Sequence, residues 1–591
     1  MIPISLYLLW LLVVLFCCGS VVRHLLIKMT GTTSSGAESG PAEEISDTLL
    51  LGLVFLTSLV SAVSLMHPID AKVAIVLSIL MVALGGRDLW HLVRTFLSHQ
   101  GMPTWSLRWV GAGCIGTMVF VAADQAIHYD TGLYHAQMVR WNKEFGVVPG
   151  LANLHARLGF DSAWDVFGSF VDHGYFSGRA FHIVSLLIGV ILLLTCLRGF
   201  QRWLEGSRSV STIFRCFGFV VILHDYRVLL PSLSNDWAAA SLLYYAVILT
   251  VEWIEQRVVA NTSAVNEANW KAALVAATCV FAVTIKLSTA PIVLLVLLLL
   301  SFARNKRQIA ALILVPAVCV TVPFLARNVV LTGYLLYPYP TLDLFGFDWK
   351  VPRIDAQFQV SLIRYWAIDP AVDWYRAMDM TLGEQLHTWL KHRGNEIVSV
   401  IPWFCIGVVT WIGVAIQARM RRRPDFLGNN AICAVLLAGI AFCLIKAPDP
   451  RFAMGWFLAF GLFPAAWFCH GAADFFNASR RIWSLIGCLI LAGSVFWMGR
   501  NAGVKRLLSA PKETVCRLND LPVTEMKEAR SEHGVLVTIP VNDNRAWNAA
   551  LPNTPEFNRW LQLRGPRLKD GFRVTKPAFQ EWQDEARKAG G

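Results

Sequence analysis

Charge is what this chain has little of. Asp, Glu, Lys and Arg make up 16% of its 591 residues, hydrophobic residues make up 55%, and the mean hydropathy is +0.51. A soluble domain carries about 25% charged residues, so an ordinary soluble globular chain is excluded. Other absences narrow the chemistry. There is no Walker loop and no GxGxxG after a strand, which leaves nucleotide-driven work unsupported. A CxxC metal pattern and any heptad or solenoid repeat are also missing. The 13 cysteines lie almost all in or beside apolar runs, where a thiol behaves as a small hydrophobe. Only Cys516 falls in the polar tail, so no disulfide framework is implied.

Long apolar runs are abundant. A bilayer core needs roughly 20 apolar residues per span, and about fourteen stretches approach that length, near 3–22, 48–66, 73–90, 108–126, 181–198, 212–230, 238–254, 271–286, 289–303, 309–325, 397–416, 429–446, 453–470 and 482–498. The fold class is an all-α polytopic membrane protein. No basic residue precedes the first run, which ends in "VVRHLLIK" and reads as an anchor, not a cleaved signal. Basic residues of short loops favour the cytoplasm. With Met1 outside, the pairs Arg23 and Lys28, Arg87 and Arg94, the set Arg198, Arg202 and Arg208, and "ARMRRR" at 418–423 all fall inside. This rim absorbs most of the net charge of +12, which points to anionic lipid as partner and not to nucleic acid. The alternate loops 127–180 and 326–395 and the tail from 500 are then extracytoplasmic. Three regions follow: 1–104, N-terminal spans with a low-complexity cytoplasmic loop at 31–47; 105–499, a transmembrane core; and 500–591, a small α+β domain. In that domain "HGVLVTIPV" predicts a strand and "TPEFNRWLQLRG" a short helix ending at Gly565.

Ionisable groups gather at the outer ends of the spans. "IHYDTGLYHAQMVRW" (127–141) holds Asp130 at the membrane edge, where shielding from water raises a carboxyl pKa and suits it to be a general base. Asp130 would equally serve as the N-cap of the interfacial helix predicted at about 132–145. Further along the same loop come His155, Arg157, Asp161 and Asp165. His135 and His155 with Asp130 form a candidate set for a divalent cation, against their reading as interfacial hydrogen-bonding groups. "LHDYRVLLPSLSNDW" places His224, Asp225 and Arg227 in an apolar run, then Asp236, where a Pro231 break before a Ser234- or Asn235-capped helix needs no function. Lys286 splits two spans and either snorkels to headgroups or binds a lipid phosphate. Arg327 in "ARNVV", and Lys446 and Arg451 in "KAPDPRF", stand at outer ends where the orientation rule does not want cations, and Arg suits forked bonding to phosphate. The candidate substrate-binding residues are thus His135, His155, Arg157, Asp236, Lys286, Arg327 and Arg451.

The "RN" then "TGYLLYPYP" motif (327–340), "APDPRF" (447–452) and an acidic residue in a long first outer loop together resemble the polytopic GT-C glycosyltransferases. "YDTGLYHAQMVRWNKEFGVVPGLANLHARLGF" (129–160) and "WNAALPNTPEFNRWLQLRG" (547–565) then "GF" are similar to a family of largely uncharacterised bacterial multi-pass membrane proteins of GT-C-like architecture. The likeness runs from about residue 105 onward. It implies a bacterial inner-membrane enzyme taking a sugar from a polyprenyl phosphate, on the outer side and with inversion, to an envelope glycan or lipid acceptor. It also implies Asp130 as catalytic base, with Arg327 and Arg451 near the carrier phosphate. The chain departs from the pattern in having three spans before the core and no DxD pair in its first loop. A lipid-linked glycan transporter would put its polar groups near the membrane midplane in repeated halves; a non-catalytic polysaccharide assembly protein would need none of these clusters.

Overall fold

The structure is a computed structural model, described over residues 1–30, 45–97, 105–259, 269–370, 380–420, 425–473 and 516–579. Apolar sequence of this length cannot leave backbone N–H and C=O groups unpaired in hydrocarbon, and the helix satisfies them within one segment. The chain is accordingly dominated by helices: α1 (Ile2–Met29), α2 (Ile45–Ser64), α3 (Ala71–Leu97), α4 (Trp105–Ala122), α5 (Ala136–Phe145), α6 (Ala163–Val171), α7 (Val184–Leu204), α8 (Val210–Leu223), the single turn α9 (Tyr226–Leu229), α10 (Asn235–Val259), α11 (Asn269–Ile285), α12 (Leu294–Phe302), α13 (Lys306–Thr332), α14 (Arg353–Ile368), α15 (Leu382–Met420), α16 (Phe426–Lys446) and α17 (Pro450–Ala473). The chain is a membrane-embedded protein by the length and composition of its helices.

Among the described residues, nine helices are long and apolar enough to cross a membrane, fewer than the fourteen read from sequence. Four more of the expected runs form shorter apolar helices, Leu107–Ala122, Val210–Leu223, Asn269–Ile285 and Leu287–Phe302. An apolar run counts residues and does not see where the backbone turns. The run at 212–230 stops being helical at Leu223, before Asp225 takes a left-handed φ of 47°. The runs at 271–286 and 289–303 part where the sequence placed a turn: Lys286 is extended and Leu287–Val293 tightens into a 3₁₀ segment holding Pro291. The fourteenth run, 482–498, lies outside the described residues.

Helices α7 and α10 form the interior, with 94% of their apolar windows inside the protein, whereas only 17% of that of the 39-residue α15 is covered. The outer helices therefore turn Leu, Ile and Val towards lipid, among them Ile75, Leu84, Val409 and Ile412. Where helices meet closely, small residues allow it. On α1 and α2, a Cβ at Gly19 would run into the Thr48 carbonyl and one at Gly52 into the Leu15 carbonyl.

One end of the bundle carries the loop region 123–183 and the C-terminal segment 516–579, which are hydrogen-bonded together. Gln137 Nε2 donates to the Trp547 carbonyl (2.7 Å), Arg140 to Asn548 O (2.9 Å), and Phe572 N to Pro149 O (2.9 Å). Trp141, Leu151, Val537, Leu561 and Phe572 share one apolar core beneath them. The segment holds two antiparallel hairpins, β1 (Met526–Arg530) with β2 (Leu536–Pro540) and β3 (Leu561–Leu563) with β4 (Phe572–Val574). The strand expected in "HGVLVTIPV" is β2. The helix expected in "TPEFNRWLQLRG" does not form: Leu561 and Leu563 pair with Val574 and Phe572, so a cross-strand partner some ten residues away overrides the local helical pattern.

Candidate functional site

Four charged side chains from four separate elements meet at this end of the bundle. Asp236 stands in the first turn of α10, whose start is fixed by the Ser234 hydroxyl accepting from Asp236 N (3.2 Å). Lys286 follows directly on α11 in an extended conformation, which turns it away from the helix axis. Arg451 lies in the first turn of α17, where Asp449 accepts from its backbone N–H (2.9 Å); Arg393 of α15 holds Asp449 in turn (3.3 Å). Asp130 comes from the segment that follows α4. The Arg451 guanidinium bridges the two carboxylates, Nη1 to Asp130 Oδ2 at 3.3 Å and Nε to Asp236 Oδ2 at 3.4 Å, and Lys286 is ion-paired with Asp236. Aromatic faces complete the seat. Lys286 Nζ lies 4.1 Å from the Phe452 ring centroid, and the Arg451 guanidinium 5.2 Å from Phe452 and 5.7 Å from Trp366.

These groups border a cavity of about 440 Å³. Its mouth is charged, with His128, Asp225, Asp236, Lys286, Glu396 and Arg451 in the wall. Its inner part follows α10 and α17 along Ala239, Ala240, Leu243, Met454 and Gly455 and is apolar. Asp130 stands behind Arg451, its side chain 14% exposed. The site is thus amphiphilic, with cations over a greasy groove.

Asp130 is the N-cap of the π-helical turn Thr131–His135, yet its side chain makes no capping hydrogen bond. Its carboxyl is not raised as expected from shielding. Burial does favour the neutral acid, but Arg451, His128 and Arg157 outweigh it and hold the carboxyl below its ordinary value. Burial depresses His128 to about 4, so the imidazole at the cavity wall is neutral.

The other expected site residues go elsewhere. Arg327 does not line this cavity. It is wholly buried, its guanidinium clasping Asp161 (2.8–3.1 Å) and donating also to Asn142 (3.0 Å) and Ser64. Four of its five N–H groups are taken and the guanidinium is shut away from the cavity, so it does not serve a phosphate there. His135 Nδ1 is bonded to Asp165 (2.8 Å) with both side chains 1% exposed; burial raises the Asp165 carboxyl against the pull of His135, and attraction to Asp165 raises His135 against burial. His155 lines a second cavity, where burial lowers it to about 3. Arg157 is half-buried and acts on Asp130 and His155 through its charge alone. The trio Asp130, His135 and His155 is therefore not assembled as a cation site, and no group of three or more His, Cys, Asp or Glu side chains able to hold a metal ion occurs among the described residues. Sequence reasoning did not name Glu396 or Trp366, and it singled out His128 and Phe452 only within the stretches 127–141 and 447–452, without a role in the site. Glu396 gave one usable signal, a carboxylate at the mouth of an apolar span, and the aromatics gave none, since Trp and Phe are ordinary near membrane interfaces.

No curated protein and no solved structure matches the chain. Residues 1–458 match the family described as a domain of unknown function, DUF8201, and the chain belongs to that family.

Proposed function

We propose that the chain is a membrane glycosyltransferase that takes a sugar from a polyprenyl-phosphate donor and passes it to an envelope glycan or lipid acceptor, on the extracytoplasmic face of the bacterial cytoplasmic membrane. The observation that carries this reading is the amphiphilic cavity, with Lys286 and Arg451 at its mouth and an apolar groove running inward between α10 and α17. A phosphate fits the two cations, one of them a planar fork suited to two phosphate oxygens, and an isoprenoid tail fits the groove. The neutral His128 and the aromatic faces of Phe452 and Trp366 suit a sugar between them.

The reaction then follows from the charges. The incoming phosphate competes with Asp130 and Asp236 for Arg451, and withdrawal of the guanidinium uncovers Asp130 and returns its basicity towards the ordinary carboxylate value. The acceptor hydroxyl gives its proton to Asp130 while its oxygen bonds to the sugar C1. The C1–O bond to phosphate breaks with its electron pair on the phosphate, whose charge Lys286 and Arg451 balance. Attack opposite the leaving group inverts the anomeric centre. Phosphate leaves without protonation, so one base suffices.

The test uses the purified full chain in proteoliposomes with a photoreactive polyprenyl phosphate. Crosslinks should map to α10 and α17 and fall at least tenfold in the double variant Lys286→Ala, Arg451→Ala. Labelling spread evenly over the lipid-facing helices, or unchanged in the variant, would remove the reading. Passage of the lipid between leaflets without loss of its sugar would favour a transporter instead.

A further inference from the structure

The second cavity is of a different character. It measures about 330 Å³, within the range of ~300–1,000 Å³ usual for small-molecule sites. Three pieces of chain that are distant in sequence enclose it: the loop 152–156, helix α14, and the C-terminal segment around Glu556–Asn558 and Val574–Phe579. Buried polar atoms in a folded protein are nearly all hydrogen-bonded, and each exception needs an explanation. Three exceptions converge here: His155 Nε2, Tyr337 Oη and Asn153 Oδ1 are buried without a hydrogen-bond partner, on residues 3%, 2% and 8% exposed, and all three residues line this one cavity. The Asn153 amide nitrogen is meanwhile fixed by the Trp349 carbonyl (2.8 Å), which leaves its oxygen as an acceptor directed elsewhere.

The polar set is neutral. Burial keeps the His155 imidazole uncharged, with its pKa lowered to about 3. Asp355, the anionic candidate on α14, is engaged by the backbone N–H groups of Ala578 and Phe579 (3.0 and 2.8 Å). Glu556 also lines the cavity, but it is exposed to solvent and is not part of the buried set. The remaining wall is aromatic, with Phe358 and Phe579 packed on each other (ring centroids 4.9 Å) and Phe557 beside them. Unpaired neutral donors and acceptors set among ring faces are what a sugar requires: hydroxyls that give and take hydrogen bonds around the edge, and a C–H face that stacks on an aromatic ring.

We infer that the cavity between the 152–156 loop, α14 and the C-terminal hairpins is a binding site for an uncharged saccharide residue, held by His155, Tyr337 and Asn153. Its assignment as the acceptor subsite rests on the transferase reading. Arg157 lies within electrostatic reach of both places, of Asp130 beside the first cavity and of His155 and Tyr337 in the second. A glycan long enough to span them would have one residue anchored here and its hydroxyl presented to Asp130.

Saturation-transfer NMR on the detergent-purified full chain tests the site directly, with the methyl glycosides of glucose, galactose, mannose and N-acetylglucosamine as probes and glucuronate as the charged control. At least one neutral glycoside should receive saturation and bind roughly three- to tenfold more weakly to Tyr337→Phe, which removes one hydroxyl and keeps the ring. His155→Gln should weaken it as well. Absence of transfer to all four glycosides overturns the proposal, as does binding that survives both Tyr337→Phe and His155→Gln, or stronger binding of glucuronate than of any neutral probe. Glycoside binding in a protein shown to lack transferase activity would keep the saccharide site and overturn its acceptor role alone.

Discussion

Asp130 and Arg451 are each defined by the other. With Arg451 at 3.3 Å, the proton affinity of the carboxylate is depressed below that of a free side chain. On the proposed reaction, kcat/KM reports the free enzyme, so its acid limb should fall below the ordinary Asp value of about 3.9. The sign is fixed: a depressed pKa keeps the base active down to lower pH, and loss of the partner returns the limb upward. Arg451→Gln should therefore lower the rate and also raise the pH of its acid limb; an unmoved limb would mean that Asp130 is not the group titrating. Asp130→Asn should cut transfer by ~10² to 10⁴, with membrane protein level unchanged, as measured by labelled glycan per mole of chain. Asp236→Asn is the informative comparison, because Asp236 lines the cavity and Asp130 stands one contact behind it. If Asp236→Asn proves the more damaging, the base is Asp236. Arg327 belongs to stability instead. Asp161→Asn leaves a buried guanidinium without its counter-charge, a loss of about 3–5 kcal/mol, which should appear as a lower unfolding temperature or poor accumulation, whereas a folded variant impaired only in donor binding would restore Arg327 to the site.

Individual helices explain why cations and carboxylates can coexist at such depth. At the opposite end from the cavity, Glu252 of α10 is surrounded by Arg202 and Arg215 (2.8 Å each), Lys271 (3.4 Å) and Arg198 (3.8 Å), which ties α7, α8, α10 and α11 into one unit. Arg198 and Arg202, expected on a cytoplasmic rim, turn inward here as part of a structural clasp, their side chains 10% and 28% exposed. The α1 and α2 pair is held by close backbone approach instead. Gly52→Val should force these helices apart, because its Cβ position is already occupied by the Leu15 carbonyl. The expected result is a clear fall in thermal stability measured by intrinsic fluorescence, with the cavity residues themselves untouched; wild-type stability would show that the two helices pack less closely. Lys286, with Ser288 and Pro291, already marked a turn after α11 in the sequence; the structure gives its form, a 3₁₀ segment over Leu287–Val293. That break is what brings Lys286 to the site.

Across the whole molecule, the polar loops and the C-terminal hairpins form a cap on one end of the bundle. The hydrogen bonds from Gln137, Arg140 and Phe572 cross more than 400 residues of sequence, and Asn519 reaches Ala123 O (3.0 Å). Met66, 93% exposed, lies in the turn beside that cap, and Val523, 98% exposed, lies within it. Met420 ends α15, about 46 Å along the helix from Trp389 at the rise of 1.5 Å per residue, and Trp389 is bonded to Pro448 near Arg451. In a cysteine-free background, Met66→Cys and Val523→Cys should label with an impermeant maleimide added outside the cell, and Met420→Cys only after the membrane is opened. Labelling of Met420→Cys from outside would invert the proposed orientation, and separation of 66 from 523 would break the cap itself.

Class, helical content and the regions where chemistry gathers follow from composition and periodicity, because the cost of apolar surface in water and of unpaired backbone in lipid is paid residue by residue along the chain. So Asp130, Asp236, Lys286 and Arg451 were recognisable as ionisable groups at span ends, and the strand at 536–540 as a strand. Tertiary structure alone decided which of them meet. Arg327 and Arg451 look alike in sequence, each an arginine at a span end, yet one is enclosed by Asp161, Asn142 and Ser64 and the other opens on the cavity. The neighbours that make this difference lie 263 and 321 residues away in the chain: Ser64 for Arg327, and Asp130 for Arg451. His155, Tyr337 and Asn153 likewise carry no shared signal along the chain; only folding strands their polar atoms together in one cavity. Charge pairing and desolvation act through space, at distances of a few ångströms, and a linear pattern holds no record of them.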